Sequence, residues 1–356
     1  MANALILIAG ILLLAAGCTQ SEAFEEEAIE IEMPNFSRNH PETIKGLLDP
    51  GDEHMNTLLN EELENVKALG INTIYVYVDY SYEDGNFTLT PMGRTKISEE
   101  KYINQIIEIK KKGFAVHVAT AFGGGRNLRF NVPLAQFLED AKQADLKWAA
   151  YAEKYKAESY SPSSEIDWQI FREYYGADWQ NDTAHDEAAA ISNRYHDDIL
   201  PEIRSVFKGK IIYQAGLWNP NLGSPGYDLF GTGVNSVGSE TEDFSERVKE
   251  IFRYAEANAK RQGSGWMVTE LWIPVKENTG NPGTWSSAYS PSGIPYSDMQ
   301  DELYRIAFNE YRNWNGDLQP SGLAYISYLN PIARTKDTPS EEIVKEFFNN
   351  LQAKTI

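Results

Sequence analysis

Two glutamates, Glu165 and Glu270, each stand at the end of an apolar, strand-like segment of this 356-residue chain. An isolated carboxylate beside a buried strand is costly unless it is paired or lies in a solvated cleft. Two carboxylates on opposing strand ends suit the acid and the nucleophile of glycoside hydrolysis, one held protonated and the other ionised. The chain has 52 acidic residues, so both could instead be solvated loop glutamates. Their shared position at strand ends favours the catalytic interpretation.

Alternating strand and helix patterns must position these two groups. Apolar and β-branched runs predict eight strands at 43–48, 71–80, 114–122, 157–164, 210–217, 227–234, 266–272 and 322–329. Helical spacing of apolar residues predicts seven helices at 55–69, 98–112, 133–156, 185–207, 244–261, 298–314 and 340–351. Only the connection between the fifth and sixth strands is irregular. This alternation predicts a closed (β/α)₈ TIM barrel. A doubly wound open sheet is the alternative, but no glycine-rich phosphate-binding motif follows the first strand.

Barrel enzymes carry their functional groups at the carboxyl ends of the strands, which adds candidates for substrate binding. These candidates are Asp79, Tyr213, Trp218, Asn219, Trp272, Trp285 and Asn330. All except Asp79 have a structural alternative: the tyrosine and the tryptophans suit core packing, and an asparagine before proline is an ordinary turn starter. Trp285 lies in the long segment 274–295, which we interpret as a wall or lid of the cleft, with a disordered insertion as the alternative.

Charge and motif content exclude several other classes of protein. The chain has 32 basic and 52 acidic side chains, a net charge of −20, which disfavours binding to nucleic acid. The five histidines form no H-x-x-x-H pair and join no carboxylate at the spacing of metal ligands, so we expect no metal and no cofactor. A G-x-S-x-G nucleophile motif is also missing from the sequence.

The amino terminus predicts export and lipid anchoring. Residues 1–17 read as a lipoprotein-type signal peptide, because the apolar run 5–16 is shorter than the roughly 20 residues of a spanning helix. The segment 15–18 resembles a lipobox in which Cys18, the single cysteine, receives the lipid. Ala15 stands where leucine is preferred and no basic residue precedes the run, so an uncleaved membrane anchor is the alternative. Residues 18–35 form an acidic tether, and the barrel domain is expected at 36–356.

The segments 159–165 and 266–272 are similar to those of the family 113 mannanase-like TIM barrels, within clan A of the retaining glycoside hydrolases. The resemblance implies that Glu165 is the general acid/base and Glu270 the nucleophile. It further implies an oligo- or polysaccharide substrate with β linkages, mannan-like or related. One position departs from the clan pattern, in which an asparagine that bonds the sugar 2-hydroxyl precedes the acid. Ser164 takes that place here.

Two functions of different classes follow from these features. The first is an exported, lipid-anchored retaining glycoside hydrolase at the cell surface, needing no cofactor and no obligate protein partner. The second is a surface lipoprotein that binds carbohydrate on a barrel scaffold without cleaving it, an alternative that Ser164 keeps open. A solute receptor for a transporter would need two hinged lobes, which the even alternation of strands and helices disfavours.

Overall fold

Eight parallel strands close into a barrel in the computed structural model. The barrel strands are β1 (Ile44–Leu48), β2 (Thr73–Glu83), β4 (Ala115–Phe122), β5 (Ser159–Ser164), β6 (Lys210–Ala215), β7 (Leu229–Asn235), β8 (Gly265–Trp272) and β9 (Pro320–Ile326). Each pairs in parallel with its neighbours, and β1 closes the ring by pairing with both β2 and β9. The prediction of a (β/α)₈ TIM barrel is confirmed.

The structure describes residues 35–49, 51–83, 85–90, 97–123, 130–178, 181–275, 289–331 and 333–352. Cys18, the predicted signal peptide and nearly all of the predicted tether lie outside these residues, as does Trp285. Residues 35–356 belong to one compact unit. Within the described part of the chain, no helix is both long and apolar enough to cross a membrane.

Helices surround the barrel. They are α1 (Asp52–Thr57), α2 (Leu63–Ala68), α3 (Glu99–Lys111), α4 (Leu134–Lys154), α5 (Ile166–Tyr175), α6 (Asp182–Val206), α7 (Thr241–Gln262), α8 (Tyr296–Arg312) and α9 (Pro339–Asn350). The segment Leu58–Glu62 between α1 and α2 is π-helical, so the predicted helix 55–69 is interrupted. Helix α3 has an N-terminal cap, because the Ser98 hydroxyl accepts a hydrogen bond from the Lys101 N–H at 3.3 Å.

Two elements were not predicted from the sequence. Strand β3 (Asn86–Leu89) extends β2 as an antiparallel hairpin outside the barrel repeat. Helix α5 begins immediately after Glu165, between β5 and the helix predicted at 185–207. Glu165 occupies the N-cap position of this additional helix.

The barrel interior is apolar in its lower part and polar near the carboxyl ends of the strands. The buried cluster comprises Ile44, Leu48, Tyr75, Ile212, Leu229, Met267 and Ala324, with Tyr77 and Ile326 packed against it. Because side chains alternate along a strand, residues two apart share the inward face. Tyr75, Tyr77 and Asp79 therefore follow one another along the inner face of β2. This row leads from the core to the open end of the barrel.

Candidate active site

A cleft of about 270 Å³ opens at the carboxyl ends of the strands, where barrel enzymes place their chemistry. Four carboxylates line it: Asp49, Asp79, Glu165 and Glu270. None of the described residues that line this cleft is a lysine, an arginine or a histidine. The two glutamates predicted from their strand-end positions therefore share one cleft.

A β-bulge aims Glu270 into the cleft. In the pairing of β7 with β8, Thr232 lies opposite Val268 and Gly233 opposite Glu270, so Thr269 is an extra residue on β8. Met267 points into the barrel core, and strict alternation would turn Glu270 away from the interior. The extra residue reverses the alternation and brings the carboxylate to the inner face.

Two neutral donors hold the Glu270 carboxylate. Its Oε1 accepts a hydrogen bond at 2.7 Å from the Tyr77 hydroxyl and another at 2.9 Å from Nε2 of Gln214. Gln214 Nε2 also donates to the Tyr77 oxygen, which links the three side chains. Burial raises the pKa of Glu270, and the hydrogen bonds from Tyr77 and Gln214 oppose that rise. These donors stabilise the ionised form, as a nucleophile requires.

A second register shift, in the pairing of β4 with β5, positions Glu165. The register shifts between Ala119, which lies opposite Ser161, and Ala121, which lies opposite Ser164. The two residues around Ser164 have left-handed backbone conformations, with φ of 44° at Ser163 and 57° at Glu165. Such conformations are unfavourable for residues with a side chain and persist where the surroundings fix them.

The buried carboxylate of Asp145 on α4 fixes this part of β5. It accepts hydrogen bonds from the Ser163 N–H at 2.9 Å and from the Ser163 hydroxyl at 2.5 Å. The hydroxyls of Thr120, Tyr160 and Tyr195 donate to the same carboxylate. Ser163 thus points outward to the helices, which turns Ser164 to the cleft and places Glu165 directly after it.

Gly216, just after β6, sets the position of the Glu165 side chain from the other side. A Cβ atom at Gly216 would lie 2.6 Å from the Cβ of Trp168 and 2.9 Å from the Cβ of Glu165, closer than real Cβ contacts come. The Glu165 N–H donates to the Gln214 carbonyl at 3.0 Å. The Asp167 carboxylate accepts from the Leu217 N–H at 2.6 Å. The start of α5 is therefore packed and bonded against the end of β6.

The environment of Glu165 differs from that of Glu270. Among the described residues, none forms a hydrogen bond with the Glu165 carboxylate. Burial, followed by the charges of Glu270 and Asp167, raises its pKa well above the usual range for a glutamate. Burial raises the pKa of both glutamates, but only Glu270 has donors that oppose the rise, so Glu165 holds its proton more tightly, the difference that acid/base pairs use.

Ser164 joins the network through Tyr77. Its hydroxyl lies 3.3 Å from the Tyr77 oxygen, while Tyr77 also contacts Glu270. Asp79 follows Tyr77 on the inner face of β2 and lines the cleft. Burial and the charge of Glu270 raise the pKa of Asp79 to about 7. Of the predicted substrate-binding residues that the structure describes, Asp79 lines the cleft with both glutamates, and the others do not.

The structure places Tyr213 away from the cleft, so its predicted role in substrate binding is wrong. Its hydroxyl lies 3.1 Å from the Ser192 hydroxyl and donates to Oδ1 of Asn193 at 3.3 Å, in the buried layer between β6 and α6. Its neighbour Gln214 points inward and makes the carboxylate contact instead. The alternation of β6 explains the difference, since adjacent residues face opposite sides of the strand.

The other predicted residues that the structure describes do not line the cleft. Asn219 is buried, with its amide donating to Asp186 and its Oδ1 accepting from the Asn221 N–H, the turn role that we held as the alternative. Asn330 is buried, and its backbone N–H donates to Asp49 at 3.1 Å. Trp272 is half-buried at the end of β8. Trp218 is 44% exposed, and the guanidinium of Arg247 lies 5.0 Å from its ring centroid.

The functional contacts that sequence reasoning missed are those of Tyr77, Gln214 and Gly216. The alternation of side chains along β2 could have identified Tyr77, because it places Tyr77 on the same face of the strand as Asp79. Gln214 could have been identified as a site residue because it is a polar residue within an otherwise apolar strand. Nothing local marks Gly216, because its role depends on how closely α5 approaches β6. In the described part of the chain, no group of three or more His, Cys, Asp and Glu side chains is arranged to hold a metal ion.

Solved structures of mannanases and of a mannosidase are similar to this fold. No family model and no curated protein sequence matches the chain. A family 113 β-1,4-mannanase is similar, with 14% identity and a TM-score of 0.63 over 87% of this chain and 100% of the other. A family 113 β-mannanase from Alicyclobacillus acidocaldarius has 14% identity and a TM-score of 0.59, over 87% and 98% of the two chains. A family 5 mannosidase from Rhizomucor miehei has 12% identity and a TM-score of 0.56, over 88% and 94%. The chain shares their barrel fold, as the sequence resemblance implied.

Proposed function

We propose that this protein is a retaining glycoside hydrolase that cleaves β-linked glycans of the mannan type or a related type. The observation that carries this proposal is the contrast between two glutamates of one cleft. Glu270 receives two hydrogen bonds that favour its ionised form, whereas burial and neighbouring charges favour the protonated form of Glu165. The similarity of the fold to mannanases and a mannosidase supports the choice of substrate class.

The proposed reaction is a double displacement. The Glu270 carboxylate attacks the anomeric carbon while the glycosidic C–O bond breaks, and Glu165 transfers its proton to the departing oxygen. A covalent glycosyl ester on Glu270 results, and Glu165 is left ionised. Water then attacks the same carbon, Glu165 takes the proton of that water, and the ester bond breaks. Tyr77 and Gln214 donate to the departing carboxylate as its charge returns.

The test is hydrolysis of a panel of β-1,4-linked manno- and gluco-oligosaccharides by the full chain and by Glu165→Gln and Glu270→Gln. We expect both variants to lose about 10²-fold or more of kcat, since each removes a group that acts in the transition state. Proton NMR of fresh products should show the β anomer. The surface variant Glu346→Gln makes the same substitution on the exposed side of α9 and should keep full activity.

Two results would contradict the proposal. Release of the α anomer would indicate an inverting mechanism. Inverting enzymes have their two carboxyl groups farther apart than the roughly 5–5.5 Å of retaining enzymes. Binding of oligosaccharides without turnover would favour the second candidate, the carbohydrate-binding surface lipoprotein. Ser164 is the observation that keeps this candidate in view, because its hydroxyl contacts Tyr77 in the place where clan members carry an asparagine.

We further propose that the protein is exported and anchored at the cell surface through lipidated Cys18. The support is the apolar segment 5–16, the lipobox-like segment 15–18 and the acidic tether that follows. Metabolic labelling with an alkyne fatty acid should mark the wild-type chain in the membrane fraction and should not mark Cys18→Ser. Equal labelling of the two chains, or release of both into the soluble fraction, would contradict lipid anchoring.

A further inference from the structure

The cleft contains one carboxylate that neither the fold nor the proposed hydrolysis uses. Asp49 has a structural role, because its oxygens accept hydrogen bonds from the backbone N–H groups of Leu329 and Asn330 at 2.7 and 3.1 Å. Asp79 has no comparable contact: none of the described residues forms a hydrogen bond with its carboxylate. Its side chain lines the cleft and is partly accessible there.

Asp79 lies next to the reaction centre along β2. It follows Tyr77 by two residues on the same face of the strand, and Tyr77 donates to Glu270 at 2.7 Å. Two residues advance a strand by about 6.6 Å, which is comparable to the width of one pyranose ring. A sugar bound at Glu270 would therefore bring its substituents to Asp79.

Among the described residues, the charges around this position are unbalanced. With Glu165 protonated, Asp79 and Glu270 are two carboxylates that repel each other, and burial together with this repulsion raises the pKa of Asp79. No lysine, arginine or histidine is among the described residues that line the cleft. Two like charges in a partly buried site are costly unless a positive charge comes between them. An anionic sugar would add a third negative charge, whereas a cationic sugar would offset the two present.

The cleft wall also contains buried polar atoms without a partner. Gln169, one helical turn after Glu165 in α5, is 8% exposed and lines the cleft, and no described residue bonds its Oε1. The Tyr75 hydroxyl lines the same cleft at 0% exposure and is also unpartnered within the described residues. An unmet buried acceptor is unfavourable, so the site favours a ligand rich in hydrogen-bond donors.

We propose that the cleft takes a β-linked glycan whose sugar at the scissile bond carries a free amino group, bound as an ammonium ion by Asp79. The inference rests on the proposed function only in placing that sugar at Glu270. An ammonium group is positively charged and carries three donors, so it would pair with the Asp79 carboxylate and bring hydrogen-bond donors into the cleft. An N-acetylated sugar lacks the charge, and a uronate carries the opposite one.

The test measures binding in a variant that cannot readily cleave its ligand. Glu165→Gln is suitable because it replaces the protonated acid and leaves the charges of Asp79 and Glu270 in place. Isothermal titration would compare β-1,4-linked tetramers of glucosamine, N-acetylglucosamine, glucose, mannose and a uronic acid, at a pH where the amine is charged. We expect the glucosamine tetramer to bind roughly tenfold or more tighter than the neutral tetramers and the uronate to bind most weakly.

The ratio of the affinities for the glucosamine and glucose tetramers tests the role of Asp79. Adding Asp79→Asn should bring this ratio close to one, because the substitution keeps the size of the side chain and removes its charge. Adding Asp317→Asn, which removes an equal charge at an exposed site, should leave the ratio unchanged. A wild-type ratio of one or less, an unchanged ratio in Asp79→Asn, or binding of none of the tetramers would overturn the inference. Because the readout is binding, failure of hydrolysis would count against the proposed function alone.

Discussion

The Tyr77 hydroxyl donates a hydrogen bond to Glu270 Oε1 at 2.7 Å, joining the second and seventh strands of the barrel across its interior. The same Tyr77 hydroxyl also contacts the side chains of Gln214 and Ser164. One phenol thus links three strands to the carboxylate that we propose as nucleophile. The electrostatic balance of the cleft depends on this contact.

Removing the hydroxyl with Tyr77→Phe should raise the pKa of Glu270, because a donor to the ionised form is lost. The nucleophile must be ionised, so the acidic limb of the pH profile of kcat/KM should move to higher pH. A hydrogen bond to a charged group contributes about 1.5–3 kcal/mol, so kcat/KM at the optimum should fall roughly tenfold to a hundredfold.

Tyr213→Phe is the matched control for this change, since its hydroxyl bonds Ser192 and Asn193 on the other side of the barrel wall. It should leave the acidic limb where it is. An acidic limb that does not move in Tyr77→Phe would mean that the hydrogen bond to Glu270 does not tune the nucleophile.

Gly216→Ala should displace Glu165 and reduce activity while the barrel still folds. The added Cβ would meet the Cβ atoms of Trp168 and Glu165 at 2.6 and 2.9 Å, and the backbone around Glu165 is constrained by its positive φ. We expect a loss of kcat of about tenfold or more, since small misplacements of a catalytic group are costly. Steady-state kinetics together with circular dichroism would measure the two effects.

Gly233→Ala is the control for this substitution. At Gly233 the added Cβ would make ordinary contacts, 3.8 and 3.9 Å from atoms of Glu270. This variant should retain far more activity than Gly216→Ala. Equal losses in the two variants would show that the close approach of Gly216 to Glu165 is unimportant.

Asp79 should make the fold less stable as the pH rises. Its pKa is about 7 in the folded protein and 3.8 in a model peptide, so the folded state holds its proton more tightly. Stability is therefore lost as the pH rises from about 4 to 7, and the full cost remains above pH 7. Because the side chain is partly open to the cleft, we expect a cost of about 2 kcal/mol rather than the ~4 kcal/mol of the full shift.

Asp79→Asn should remove this cost, so urea unfolding should show a more stable variant at pH 8 and no difference near pH 3. Asp317→Asn changes an exposed carboxylate and provides the comparison at the surface. A variant that is less stable than the wild type at pH 8 would indicate that Asp79 is stabilised by its surroundings in the folded state.

Trp218 should contribute to binding of longer glycan chains. Trp218 follows β6 and is 44% exposed. The guanidinium of Arg247 lies 5.0 Å from the centroid of its ring and donates a hydrogen bond to the Ser239 hydroxyl at 2.9 Å. Trp218→Ala should raise KM roughly threefold to tenfold for long oligosaccharides, which corresponds to the 0.5–1.5 kcal/mol of one aromatic contact. Measuring KM as a function of chain length tests this contribution. An equal effect on disaccharides and hexasaccharides would show that Trp218 does not contact the distal sugars of long chains.

Periodicity along the sequence was sufficient to predict the barrel. Eight apolar strands alternating with helices have few ways to bury both faces of a parallel sheet, and closure into a barrel is one of them. The same periodicity placed Glu165 and Glu270 at strand ends, because polar residues that interrupt an apolar run are visible in the sequence itself. The extra helix α5 escaped prediction, since no loop separates it from β5.

The direction of each side chain was decided by the tertiary structure. Glu270 faces the cleft because Thr269 is an extra residue in the pairing of β7 with β8, and Ser164 does so because of the shift in β5. Register shifts arise from how neighbouring strands pair, and a single strand does not encode them. Burial also depends on the folded whole: the pKa values of Glu165 and Asp79 rise because distant segments remove water from around them. The sequence by itself determined which groups stand at the barrel mouth, and strand pairing and packing determined which of them meet.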